Sequence, residues 1–82
     1  MESKQINHKL CWYEKYGDDF RGKCNLEGIT LSELQTLFDQ PSEDPMIYCY
    51  PVLSHHTTDL QKFVRHKIKL NLFDYFIESQ IQ

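Results

Sequence analysis

The hydrophobic and polar positions along the chain fall into short segments of two different periods. Residues 8 to 16, HKLCWYEKY, alternate, with Leu10 and Trp12 on one side, and run into Gly17-Asp18-Asp19 before Phe20 to Leu26 resumes extended chemistry. Alternation broken by a Gly/Asp cluster predicts a β-hairpin. A loop centred on Asp18 sets Leu10 against Leu26, Trp12 against Cys24 and Tyr16 against Phe20. That register gathers the large side chains on one face and is preferred to a loop between Gly17 and Asp18, which would set Cys11 against Cys24.

After Gly28 the period changes. Thr30-Leu-Ser-Glu33 has the spacing of a capping box, in which hydroxyl and carboxylate each satisfy an orphan amide at a helix start. Ile29 before the cap and Leu34 inside the helix can form a hydrophobic staple, and Leu31, Leu34, Leu37 and Phe38 recur as a buried stripe. Pro41 limits this helix to residues 31 to 39.

A polar loop, Pro41-Ser-Glu-Asp-Pro45, leads to Met46-Ile-Tyr-Cys-Tyr50, rich in strand formers until Pro51 interrupts. Thr58 and Gln61 repeat the capping-box spacing, and Leu60, Phe63 and Val64 share a face, which predicts a second helix from Asp59 to His66 or Lys67. Leu70 to Ser79 has bulky residues on both faces, as an interior strand does.

The expected order is ββαβαβ: an α+β fold with a four-stranded, mainly antiparallel sheet and two short helices packed on one face. Residues 1 to 82 form one domain, with 1 to 7 a loose N-terminal segment. Two such helices cover one side of the sheet, so the other side is expected to meet solvent or a partner.

Length and composition narrow the picture. Eighty-two residues leave room for one core, and eleven aromatic residues (Trp12, five Tyr and five Phe) can build it. No apolar run approaches the roughly 20 residues that span a bilayer, and the first residues lack the pattern of a signal peptide, so a cytoplasmic protein without membrane contact is expected. Cys11, Cys24 and Cys49, odd in number and widely spaced, are expected to be reduced thiols.

Charge is distributed unevenly. The net charge is −3, yet from Cys24 through Gln61 there is no Lys or Arg, while Glu27, Glu33, Asp39, Glu43, Asp44 and Asp59 all lie in that stretch. Lys62, Arg65, Lys67 and Lys69 follow directly. Uncompensated acid beside Tyr48 and Tyr50 suits a surface that meets a basic protein, because electrostatic steering speeds association and aromatic residues anchor contacts.

Catalytic chemistry finds little support. Cys49, His55, His56 and His66 lack the paired spacing of structural zinc ligands, no cysteine sits in a nucleophile signature, and the carboxylate pairs fall in turns. The glycines form no phosphate-cradling loop. No metal, cofactor or enzymatic activity is expected, and the acidic balance argues against direct nucleic-acid binding by the Lys62 to Lys69 run.

The hairpin, the capped helix, Glu43-Asp44-Pro45 before the Tyr-rich segment, the second helix and the closing Asp74-Tyr-Phe-Ile-Glu78 together resemble small bacterial immunity proteins of contact-dependent growth inhibition and related toxin systems. The resemblance implies an antidote that binds and neutralises the toxic C-terminal domain of a sister-cell effector, often a nuclease. Under that reading Asp39, Glu43 and Asp44, with Tyr48 and Tyr50 as anchors, are the expected partner-binding residues, chosen for charge and exposure. A small adaptor or regulatory module using the open sheet face, and a weak nucleic-acid-binding protein, are the alternatives.

Overall fold

The computed structural model describes residues 6–81. Its sheet has the order β2-β1-β4-β3, with every neighbouring pair antiparallel. β1 (Ile6–Glu14) and β2 (Phe20–Asn25) form the hairpin, α1 (Leu31–Leu37) follows, β3 is the two-residue Tyr50–Pro51, α2 is Thr57–Leu60, and β4 is Phe73–Ile81. This is the expected α+β fold, with β4 an interior strand between β1 and β3. Of the N-terminal segment expected to be loose, residues 1–5 lie outside the described residues, whereas Ile6 and Asn7 pair with Ile81 and Gln80.

One face of the sheet carries the core. Leu10 of β1 pairs with Ile77 of β4, and both are fully buried. Leu34 and Phe38 of the first helical segment, Leu60 of α2, and Met46, Val52, Val64 and Tyr75 close over them. Burying such side chains away from water is the main stabilising term, on the order of 1.5–3 kcal/mol for each large one. The N-terminus of α1 is built as its sequence requires. Thr30 Oγ1 accepts from the Glu33 amide at 3.1 Å, and the Glu33 carboxylate accepts from the Thr30 amide at 2.9 Å. The helix ends one turn before Pro41, with Phe38 as its C-cap. Leu31 shares the arc of Leu34, Gln35 and Phe38 yet, in the first turn of the helix, is 42% exposed.

The hairpin register differs from the expected one by two residues. Leu10 faces Cys24, Cys11 faces Lys23 and Trp12 faces Gly22, with a bulge before Tyr13 meets Phe20. The strands separate early, at the Glu14 amide to Asp19 carbonyl bond of 2.8 Å, so Lys15 to Asp18 form a wider loop in which Tyr16 takes a left-handed φ of 63°. A shift of two keeps Leu10, Trp12 and Cys24 on their expected face, since side chains repeat every two residues, but the bulge moves Phe20 across to the face of Tyr13. Cys11, Cys24 and Cys49 are all free thiols.

Three other boundaries move. Met46 to Cys49 are not in the sheet. The Asp44 carboxylate takes the Met46 amide at 2.8 Å, Met46 turns left-handed at φ 56° and plugs the core, and only Tyr50 and Pro51 reach the ladder. The second helix begins earlier and ends sooner than residues 59 to 67. It grows from a 3-10 turn at Ser54–His56, where His56 Nδ1 accepts the Leu53 amide at 2.9 Å, and passes into a 3-10 turn at Gln61–Phe63. The expected Thr58–Gln61 capping box does not form; Gln61 is instead the C-cap of α2, and its side chain donates to the His66 carbonyl at 2.9 Å and accepts from the Ile68 amide at 2.9 Å, bracing the extended return to β4. That strand starts at Phe73, because Leu72 and Phe73 amides both bond the Lys69 carbonyl in a turn.

Candidate functional site

The chain between α1 and β3, residues 38 to 49, is irregular yet held from three sides. Gln35, 5% exposed on α1, donates to the Ser42 carbonyl at 3.1 Å and the Asp44 carbonyl at 2.6 Å. His8 of β1 donates from Nε2 to the Met46 carbonyl at 2.9 Å and the Pro45 carbonyl at 3.2 Å. Ser79 of β4 donates its hydroxyl to the Ile47 carbonyl at 2.8 Å. A loop fixed by side chains from a helix and two strands presents its exposed residues in one arrangement, which lowers the ordering entropy that binding must overcome.

The five expected partner-binding residues all lie on this segment or at its end. Tyr48 is 72% exposed, and Asp39 and Glu43 are exposed. Asp39 sits at the left-handed position that follows the helix, with φ 56°. Asp44 and Tyr50 meet each other: the Tyr50 hydroxyl donates to Asp44 Oδ2 at 3.1 Å. Burial and then that bond raise the Tyr50 pKa. Their polar groups therefore hold the loop's own shape. Exposed Ile47 and Leu53 add apolar surface beside Tyr48 along the chain, a contribution that the sequence alone did not single out.

The lysine-free stretch is less uniformly available than its sequence suggests. Glu27 pairs with Arg65 at 3.3 Å, Asp59 pairs with Lys62 at 3.5 Å, Glu33 closes the capping box, and Asp44 is engaged as described. Asp39 and Glu43 form no ion pair among the described residues, so they carry the loop's outward negative charge.

The face of the sheet opposite the helices is the second distinctive surface. Tyr13, Phe76 and Phe20 meet edge to face, with ring centroids 5.6 and 5.8 Å apart around Tyr13. The Tyr13 hydroxyl donates to Glu78 Oε2 at 2.6 Å, and this bond, with burial second, pushes the Tyr13 pKa up to about 12. Burial first, then the Glu78 charge, pushes the Cys11 thiol up to about 11, and the same two causes raise Cys49. Thiols held in the protonated form are poor nucleophiles. Among the described residues no group of three or more His, Cys, Asp or Glu side chains is placed to hold a metal ion, and no helix is long and apolar enough to cross a membrane.

Residues 8–78 match a family described as a domain of unknown function, DUF7683. The chain belongs to that family. A search of curated proteins finds no match. The match takes in the pinned loop and most of the strands of the open face, including Tyr13, Phe20, Phe76 and Glu78.

Proposed function

We propose that this DUF7683 protein is an antidote that binds and neutralises the toxic domain of a contact-dependent growth inhibition effector, and that its pinned 39–49 loop is the recognition element. The observation that carries this reading is the loop itself: an irregular segment immobilised by Gln35, His8 and Ser79, which exposes Asp39, Glu43, Ile47 and Tyr48. Immobilising a loop that contributes only Met46 and part of its flanks to the core has little purpose for stability alone. It does serve recognition, because an aromatic side chain held out from an ordered backbone is a common interface anchor.

The fitting partner is a basic protein. A nuclease domain holds phosphates and is therefore cationic around its active site, so Asp39 and Glu43 would be drawn to it and would stand in for nucleic acid. Blocking by contact needs no catalytic group. Cytoplasmic residence follows from the same reading, since the toxic domain acts there.

Co-expression with a toxin domain, sought first in the reading frame neighbouring this gene, tests the proposal. The wild-type chain should rescue growth and co-purify with the toxin. A folded Asp39→Lys, Glu43→Lys, Tyr48→Ala variant should lose rescue, with affinity down by at least about a hundredfold, the sum expected of one aromatic anchor and two rim charges. Asp44 and Tyr50 are left intact so that the loop keeps its shape. Full rescue by the variant would remove the loop as the binding element; absence of any complex with the wild-type chain would remove the antidote reading.

A further inference from the structure

The two helical segments begin on different chemistry. At α1 the Thr30 amide is held by the Glu33 carboxylate at 2.9 Å. At the 3-10 turn Ser54–His56 the corresponding acceptor is an imidazole: His56 Nδ1 takes the Leu53 amide at 2.9 Å, and the His56 amide returns to the Leu53 carbonyl at 2.9 Å. A carboxylate stays an ionised acceptor down to about pH 4, whereas an imidazole nitrogen accepts only while the ring is neutral. We infer that the Leu53–His56 turn is an acid-released cap, which in acid gives up the Leu53 amide and turns the His56 charge toward Asp39 at the root of the pinned loop.

The position of the ring makes the cap matter to the loop. His56 is 5% exposed and packs on Phe38 with ring centroids 4.2 Å apart and on His55 with centroids 4.0 Å apart. Phe38 is the C-cap of α1, and the exposed, left-handed Asp39 is the next residue. The charged groups that bear on the ring are His55 from its own turn and Asp39 from the loop. As a neutral group the ring suits this place, buried and with its acceptor used. As a cation it would set Nδ1–H against the Leu53 N–H beside a like-charged neighbour, and Asp39 offers the compensating charge. Asp39 is one of the two acids that carry the loop's outward charge, so its neutralisation weakens the hold on a cationic partner. The remaining pins are insensitive to acid: Gln35 and Ser79 do not titrate, and His8 donates from Nε2, as a protonated ring also does. The change is therefore confined to the turn and the first residues of the loop.

This inference rests on the antidote reading only for what the loop binds. The cap itself is tested on the full-length chain alone, by following imidazole and amide resonances from about pH 7.5 to about pH 5. His56 should titrate with a midpoint below the ordinary 6.5, because burial, with the His55 charge second, disfavours the charged ring. The Leu53, Phe38 and Asp39 amides should shift with that same midpoint. Protection of the Leu53 amide against exchange should fall about tenfold, the loss of one hydrogen bond, while the Thr30 and Glu33 amides and those of β1 and β4 hold their places. His56→Gln should abolish the shifts, and His66→Gln should retain them. If His56→Gln fails to fold, the agreement of midpoints in the wild-type chain decides. A ring still neutral at pH 5, a Leu53 amide that follows another midpoint or none, or shifts that persist in folded His56→Gln would overturn the inference. So would loss of the β1 and β4 resonances together with that of Leu53, which would mean that the whole fold opens. Because no partner is used, a silent titration beside successful rescue removes only the cap's release, and a clear titration beside failed rescue removes only the antidote.

Discussion

Trp12 lies over Gly22 so closely that a β-carbon on the glycine would come within 2.6 Å of the indole Cζ2. The ring has no room to retreat. Its other side is stacked on His66 with centroids 3.8 Å apart and planes 14° from parallel, and Tyr75 stands 5.8 Å away. The glycine is therefore the reason Trp12 can pair at this register and still lie flat against the core. Gly22→Ala should destabilise the fold by about 1–3 kcal/mol, the range for overpacking a fixed core group. Denaturant unfolding followed by Trp12 fluorescence measures it, and an unchanged midpoint would mean that the indole moves freely after all.

Two histidines make stability depend on acid. Burial, with the His55 charge second, lowers the His56 pKa from 6.5, and burial, with Lys69 second, lowers that of His66. In the unfolded chain both rings take a proton near pH 6.5, while the folded protein keeps them neutral to lower pH, so folding loses stability as pH falls below about 6.5. His56 has a specific cause, because its Nδ1 accepts the Leu53 amide and protonation would set two N–H groups against each other. Unfolding free energies at pH 7.5 and 5.0 should show the loss. His56→Gln, which offers an acceptor without titrating, should flatten the difference; an equal pH dependence in the variant would acquit His56.

How much of this was legible depends on how local each contact is. The capping box of Thr30 and Glu33 reads directly, because both partners are three residues apart and no distant group competes. The faces of β1 and β4 read from alternation, and they survived a two-residue error in register for the same reason. Met46 to Cys49 reads as a strand because its residues favour one, but Asp44 captures the Met46 amide and bonds from His8 and Ser79, 38 and 32 residues away in sequence, decide its path. Nothing in the spacing of residues 41 to 50 announces those partners. Asp44 and Tyr50 illustrate the consequence for the site: in the sequence they read as outward charge and aromatic anchor, and in the fold they bond each other.

Tyr16 holds a left-handed φ of 63° at the hairpin loop while 97% of its side chain is exposed. A non-glycine residue there costs about 1 kcal/mol or more, and so exposed a ring recovers little of it by packing. Tyr16→Gly should raise stability by about 0.5–1 kcal/mol, part of the relief being offset by the greater freedom of glycine in the unfolded chain. Thermal unfolding of the two proteins checks it. A loss of stability would reveal that the tyrosine ring contributes to the fold despite its exposure.

Gln35 is the side chain on which the proposed recognition loop depends. It is buried, and its amide nitrogen alone joins α1 to the Ser42 and Asp44 carbonyls. Gln35→Ala would leave both carbonyls without that donor, at a cost of about 1–3 kcal/mol in stability. Because α1 keeps its cap and the core keeps Leu34 and Phe38, the damage should stay local: hydrogen exchange at residues 42 to 47 should speed up while β1 and β4 amides remain protected to the new global limit. The same variant separates rigidity from contact chemistry, since Asp39, Glu43 and Tyr48 are all retained. If the pinned conformation matters for recognition, toxin affinity should fall by more than tenfold with slower association, as expected when binding must first reorder the loop. Undiminished affinity alongside faster exchange would mean that the partner selects the exposed side chains regardless of how the loop is held.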